Sequence, residues 1–351
     1  MGFSSFQIVK VLMLSAFSFV LAAAATPLLT HFLYKYKKNI RSDLSKTPIF
    51  SKLHAHKTGT PTMGGILIWG TVLLMVFLFF IIPQFFPGFI APEFNFLSRK
   101  ETLLPLGVLL ASALVGLVDD VFNVKKMGAT GGGLRLWHRL LIFTAIALIA
   151  AWWFFFKLEW TIVRIPFYTV MDIGWWTIPL FIFIIVATAF SVNETDGLDG
   201  LAGGVLLAAF ATYAAISFTQ GKEDLATFCG VICGALLAFL WFNIHPARFF
   251  MGDTGSMALG ITLGVVAILT NTIWLLPFIG FILVIESGSV IIQTISKISR
   301  SGKKVFHSTP IHHHFEALGW GEPKIVMRFW IISAVMAVLG LVLFLIDKNL
   351  V

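Results

Sequence analysis

Two adjacent carboxylates, Asp119 and Asp120, close the apolar run Val115-Gly116-Leu117-Val118, where a helix would carry them at its C-terminal end. Acidic groups there oppose the helix macrodipole, so the placement reads as functional. Neighbouring like charges raise each other's proton affinity, which suits a general base, and they can also share a cation. Asn193-Glu194-Thr195-Asp196-Gly197-Leu198-Asp199-Gly200 links two further apolar runs and sets Asn193, Asp196 and Asp199 on one face if it is helical. No distal glutamate closes this segment as an EF-hand loop requires, which argues against that kind of Ca2+ site. Gly197 and Gly200 permit close backbone approach of a ligand.

Two more polar segments follow. Between Asn243 and Ser256, Gly252 and Gly255 flank Asp253. Such glycines let backbone N–H groups face a phosphate while the aspartate holds its counter-cation, and an all-oxygen donor set favours Mg2+. Phe249 or Phe250 either stacks on a base or anchors the loop at the membrane interface. The run His312-His313-His314 cannot point one way on a regular helix or strand, so it makes no Zn site by itself; with Arg300, Lys303 and Lys304 upstream it reads as a donor-rich lid over a phosphorylated substrate. Glu286 and Gln293, seven residues apart on one helical face, either pack against partners or line the same cavity.

These groups must be positioned by elements built in lipid. The 351 residues are 58% hydrophobic and only 12% charged, with a mean hydropathy of +0.92, which indicates one integral membrane domain over residues 1–351 and no soluble domain. Spans need about 17 to 25 apolar residues. Such runs occur at Val11–Phe32, Ile66–Ile82, Leu103–Val118, Leu140–Phe156, Trp175–Val192, Leu201–Phe218, Leu225–Phe242, a shorter one near Met257–Thr270, a weak one from Ile273 through Gln293, and Phe329–Ile346. The expected fold is therefore all-α and polytopic with about ten transmembrane helices, the first of them uncleaved because Lys10 interrupts its signal-peptide character. Lys157–Asp172 alternates enough to predict a small outer hairpin, and Cys229 and Cys233, one turn apart within a span, read as small packing residues. Alternating the loops across ten spans puts 18 of the 25 Lys and Arg residues on one side, which the positive-inside rule makes cytoplasmic. Both termini then face outward, and Asp119, Asp120, Asp196, Asp199, Asp253 and the histidines converge on a cytoplasmic cleft. The net charge of +8 follows from this topology and points to no nucleic-acid partner.

Four segments taken in order, Lys57-x-Gly59-Thr60-Pro61-Thr62-Met63-Gly64-Gly65, Thr195-Asp196-Gly197-Leu198-Asp199-Gly200-Leu201-Ala202, Phe250-Met251-Gly252-Asp253-x-Gly255-Ser256 and Pro310-Ile311-His312-His313-His314-Phe315-Glu316, resemble the polyprenyl-phosphate N-acetylhexosamine-1-phosphate transferase superfamily over nearly the whole chain. The histidine motif with its Phe-Glu looks like the muramoyl-pentapeptide branch and not the relatives that transfer N-acetylglucosamine phosphate. The resemblance implies a bacterial cytoplasmic-membrane enzyme that passes phospho-N-acetylmuramoyl-pentapeptide from its UDP conjugate to undecaprenyl phosphate, releasing UMP and forming lipid I. It implies Mg2+ on Asp253, with Asp119 and Asp120 near the attacking lipid phosphate. The nucleoside pocket would be Lys57, Thr62, Asn193, Asp196, Gly197 and Asp199 with Phe250 against uracil. Asn243, Gln293, His312, His313 and His314 would complete the cleft of a homodimeric enzyme. Two positions depart from the family: Glu194 stands where an apolar residue is usual, and Gly133-Leu134-Arg135-Leu136-Trp137-His138-Arg139 replaces a run ending in lysine, so that Arg135 or Arg139 inherits its role. A secondary transporter also has about ten spans, but its polar residues gather near the bilayer midplane, whereas these lie at one boundary.

Overall fold

The computed structural model describes residues 5–35, 59–86, 88, 92–99, 101–125 and 133–350. Lys57 lies outside them. Among the described residues, nine helices are long and apolar enough to cross a membrane. They are α1 (Ser5–Lys35), α2 (Ile66–Phe85), α3 (Leu103–Lys125), α4 (Leu136–Lys157), α5 (Gly174–Thr195, its first turn 3-10), α6 (Leu201–Thr219), α7 (Glu223–Asn243), then, beyond a further helix, α9 (Phe281–Ser299) and, last in the chain, α11 (Glu322–Leu350). The intervening α8 (Asp253–Leu269) is the expected short span, and α10 (Ile311–Ala317) carries the histidines. The outer hairpin is present as β1 (Ile162–Ile165) paired antiparallel with β2 (Thr169–Asp172).

The bundle has a protein-facing centre and a lipid-facing rim. Every residue of α8 is buried; it packs between α3 and α5. At 17 residues it is about 25 Å long, short of the roughly 30 Å hydrocarbon layer. A helix wholly jacketed by other helices has no need to match that thickness. The rim helices keep large apolar side chains outward, among them Leu12, Ile149, Phe183 and Ile331, each more than 60% exposed, as a chain solvated by lipid does.

Helices approach closely where small residues meet, the usual device when lipid offers no hydrophobic drive between helices. The crossing of α3 and α8 matters most for function. A Cβ on Gly116 would stand 2.3 Å from the Asp253 carbonyl oxygen and 2.5 Å from its carbon, both unyielding backbone. Gly116→Val is therefore expected to cost about 1–3 kcal/mol and to push Asp253 away from α3, read as a lower unfolding temperature in detergent together with lost activity.

At the end of the bundle that carries the hairpin, Lys10 bonds Asn95 O and Asp224, and Arg164 pairs with Asp347 at 2.6 Å. These two acid–base pairs neutralise charge there. The opposite end is different.

Candidate active site at one end of the bundle

The C-terminal ends of α3, α5 and α7 and the N-terminal ends of α4, α8 and α11 meet at this second end. Successive helical residues point about 100° apart, so Asp119 and Asp120 diverge. Asp120 turns to the start of α8, accepting bonds from Asp253 N at 3.2 Å and Thr254 N at 3.0 Å, with the Thr62 hydroxyl at 3.3 Å. It caps α8 from a neighbouring helix, satisfying N–H groups that Gly252, lacking a side chain, cannot. Gly252 itself has φ +74°, and a Cβ on it would meet Thr62 Oγ1 at 2.5 Å and the Asp120 carboxylate at 2.6 Å, so only glycine fits.

Asp119 turns to Arg139, whose Nη2 lies 2.9 Å from Asp119 Oδ2, an ion pair whose angle falls outside a hydrogen bond. The same Nη2 lies 2.7 Å from Asp253 Oδ2, and Nη1 donates to Asn193 Oδ1 at 3.1 Å. The Asn193 amide in turn donates to Asp253 Oδ1 at 2.7 Å and to Ser256 Oγ at 3.1 Å. Between the two candidate bases, Arg139 enters the cluster while Arg135, one turn earlier, is exposed. One guanidinium thus faces Asp119 and Asp253, with Asp120 and Asp196 close behind, and all three aspartates of α3 and α8 are at most 9% exposed. The excess of buried negative charge and the hard-oxygen donors fit Mg2+, with Asp253 and Asp119 as the carboxylates turned toward Arg139.

The face expected for Asn193, Asp196 and Asp199 divides because α5 ends at Thr195 and Gly200 (φ +83°) starts α6. Asn193 stays on the helix with Asp253. Asp196 accepts from Gly252 N at 3.1 Å, which ties the two polar loops together. Asp199 accepts from His245 Nδ1 at 3.0 Å and Ala247 N at 3.1 Å, while its own N–H donates to Glu322 at 2.6 Å. Asp199, His245 and Glu322 gather closely enough to hold a metal, yet these hydrogen bonds account for their arrangement. His245 and Glu322 escape a reading of the sequence: a glutamate in the first turn of a helix merely suits the macrodipole, and its partner Asp199 is 123 residues away.

The remaining expected residues are also placed. Asn243 accepts from Gly200 N at 2.9 Å and donates to Phe249 O at 2.8 Å, so its amide joins the same two loops. Phe249 is fully buried against Phe239 and Phe242, which leaves half-buried Phe250 as the more accessible of the two. The glycine-rich segment lies along this loop through Gly64 N to Phe250 O and Gly65 N to Met251 O, both 2.8 Å. Gln293 is engaged by the backbone of Val305 and Phe306. The three histidines diverge on α10: His312 inward to Glu286, His313 to Glu316, His314 onto His307. Glu194 is half-buried within electrostatic reach of His312 and Arg139.

Residues 102–271, which contain the buried aspartate, arginine and asparagine cluster at one end of the bundle, match the family model for glycosyl transferase family 4. Full-length similarity narrows this. The chain is 37% identical over 351 residues to a phospho-N-acetylmuramoyl-pentapeptide-transferase of Chloroflexus aggregans, covering 96% of this chain and 90% of the relative. It is 39% identical over 328 residues to the enzyme of that name from Listeria innocua (93% and 95% covered) and 39% over 331 residues to that from a Geobacillus species (92% and 94%). The chain belongs to the phospho-N-acetylmuramoyl-pentapeptide-transferase family. With its apolar helices it is a multi-pass bacterial membrane protein.

Proposed function

We propose that this protein transfers phospho-N-acetylmuramoyl-pentapeptide from UDP-N-acetylmuramoyl-pentapeptide to undecaprenyl phosphate, releasing UMP and forming lipid I, at a cleft facing the cytoplasm. The observation that carries the reading is the Asp119, Arg139, Asn193 and Asp253 cluster at one end of the bundle, since a lipid phosphate and a water-soluble nucleotide sugar can meet only at such a boundary. The excess of Lys and Arg on that side supports its cytoplasmic orientation, with both termini outside.

Asp253, joined by Asp119, would hold Mg2+, which when bound neutralises charge on the diphosphate. Arg139 keeps the carboxylates from repelling one another and offers planar donors to phosphate oxygens. Asp119 is the residue set to orient the attacking lipid phosphate. Asp120 acts by capping α8 and so fixing Asp253, which supports a positioning role within the catalytic set. Asp196, Gly197, Asp199, Thr62 and Phe250 border the nucleoside side, to which the family resemblance also assigns Lys57. Asn243 and Gln293 hold the loops that shape it, and His313 and His314 lie on the same rim. Through its family resemblance the enzyme works as a homodimer.

Removing divalent cations with EDTA is expected to stop UMP release from purified protein, and added Mg2+ to restore it. Full activity in EDTA would remove the metal from this scheme.

A further inference from the structure

Among the buried polar side chains of helix α9, Glu286 and Gln293 lie on one face. Gln293 is accounted for by the backbone of Val305 and Phe306. Glu286 has no part in the scheme above, yet it is fully buried. Its Oε2 lies 2.9 Å from His312 Nδ1, and the His312 ring is also fully buried. Beyond this one bond both groups are incomplete: among the described residues, Glu286 Oε1 and His312 Nε2 are buried without a hydrogen-bond partner. Buried polar atoms are normally paired, and each exception calls for an explanation.

The direction of the ring supplies one. A carboxylate only accepts, so the bond makes Nδ1 the donor, and the opposite ring atom Nε2 becomes the working end. Nε2 points at the turn between α5 and α6, where a Cβ on Gly197 would stand 2.3 Å from it. That turn is the one whose Asp196 holds Gly252 N beside Asp253. The neighbouring histidines do not share this orientation, since His313 is 2.6 Å from Glu316 and His314 stacks on His307.

We infer that Glu286 is a positioning residue, which holds His312 so that Nε2 binds a phosphate oxygen of the nucleotide diphosphate. This rests on the transferase reading given above. A phosphate oxyanion at Nε2 makes that bond charge-assisted. Such a bond strengthens as charge gathers on the departing UMP oxygens, so it acts more on turnover than on substrate affinity. No proton is transferred in this role. Gly197 covers Nε2 with backbone alone, so the bond to phosphate requires the 196–200 turn to shift.

The test uses full-length protein in detergent, with UMP release measured for the unmutated enzyme, E286A, E286Q, H312A and the E286A/H312A double variant. E286A should lower kcat by about 10- to 100-fold, as loss of a histidine's orienting partner typically does, with KM for the nucleotide sugar moving by less than about threefold. E286Q, whose amide carbonyl still accepts Nδ1–H, should recover most of that loss. The double variant should be no slower than H312A, because both changes remove one device. A further multiplicative loss in the double variant, or E286Q as slow as E286A, overturns the inference. Binding gives a readout independent of turnover: E286A and H312A should weaken UDP by similar factors of up to about threefold, in line with the small change in KM, while leaving uridine unchanged. Equal weakening of UDP and uridine, or of neither, also overturns it. If the unmutated enzyme releases no UMP, the transferase reading itself fails, whereas normal release with an unaffected E286A defeats only the role of Glu286.

Discussion

Asp253→Ala is expected to abolish UMP release, lowering the rate at least about 10³-fold. Charge stabilisation by a bound cation is worth several kcal/mol in the transition state, and each 1.36 kcal/mol is a factor of ten. Among the described residues Asp253 is the one carboxylate hydrogen-bonded to both Arg139 and Asn193, so its removal also cuts the Arg139 link to the start of α8 and leaves α5 the Asn193–Ser256 bond there. Asp253→Asn separates these effects. It keeps the side chain's size but removes its charge, so activity should fall nearly as far while the unfolding temperature changes little. Measurable Mg2+-dependent turnover near the unmutated rate in either variant would contradict the metal assignment.

The second large effect is expected at Arg139. Its guanidinium lies 2.9 Å from Asp119 and 2.7 Å from Asp253, and Asp119 is fully buried. Arg139→Met leaves two carboxylates facing each other with no ion-pair partner among the described residues. Breaking a buried pair by removing one partner is strongly destabilising, on the order of 3 kcal/mol, and here it also removes donors for the diphosphate, so UMP release should drop by at least about 100-fold. Arg139→Lys restores the charge but cannot bridge Asp119, Asp253 and Asn193 with a fixed fork, and should fall between the two. Thermal unfolding in detergent and UMP release, measured on the same preparations, check both parts. An Arg139→Met protein as stable and as active as the unmutated one would mean that the cluster has another counter-charge.

Much of this site was legible because charge is scarce in the chain. Asp119, Asp120, Asp253 and the Asn193 to Asp199 segment stand out against long apolar runs, and counting basic residues by side brings them to one end. Helix positions followed for the same reason: the span at Leu103–Val118 became Leu103–Lys125, and even the short eighth span was recovered as Asp253–Leu269. What could not be read is pairing across distance. Adjacency suggested that Asp119 and Asp120 act together, whereas helical geometry sends one to Arg139 and the other to the backbone of α8. The choice between Arg135 and Arg139 depended on where α4 begins, since the residue just before its first turn projects to solvent and the one a turn later reaches the cluster. Phe249 and Phe250 are chemically alike, and only the course of the chain buries the first and leaves the second half-exposed. Glu286 was visible as a polar residue at membrane depth, but its partner His312 lies in a segment joined to α9 by a loop whose path no periodicity specifies.

The central claim is best tested by quantifying UMP released from purified protein supplied with undecaprenyl phosphate and Mg2+, using UDP-N-acetylmuramoyl-pentapeptide and UDP-N-acetylglucosamine in parallel. The expected result is release of UMP, matched by a lipid-linked product, from the muramoyl-pentapeptide donor and little or none from the other. Release from UDP-N-acetylglucosamine alone would move the protein to a different branch of the superfamily, and release from neither donor would contradict the assignment of a transferase site to this end of the bundle.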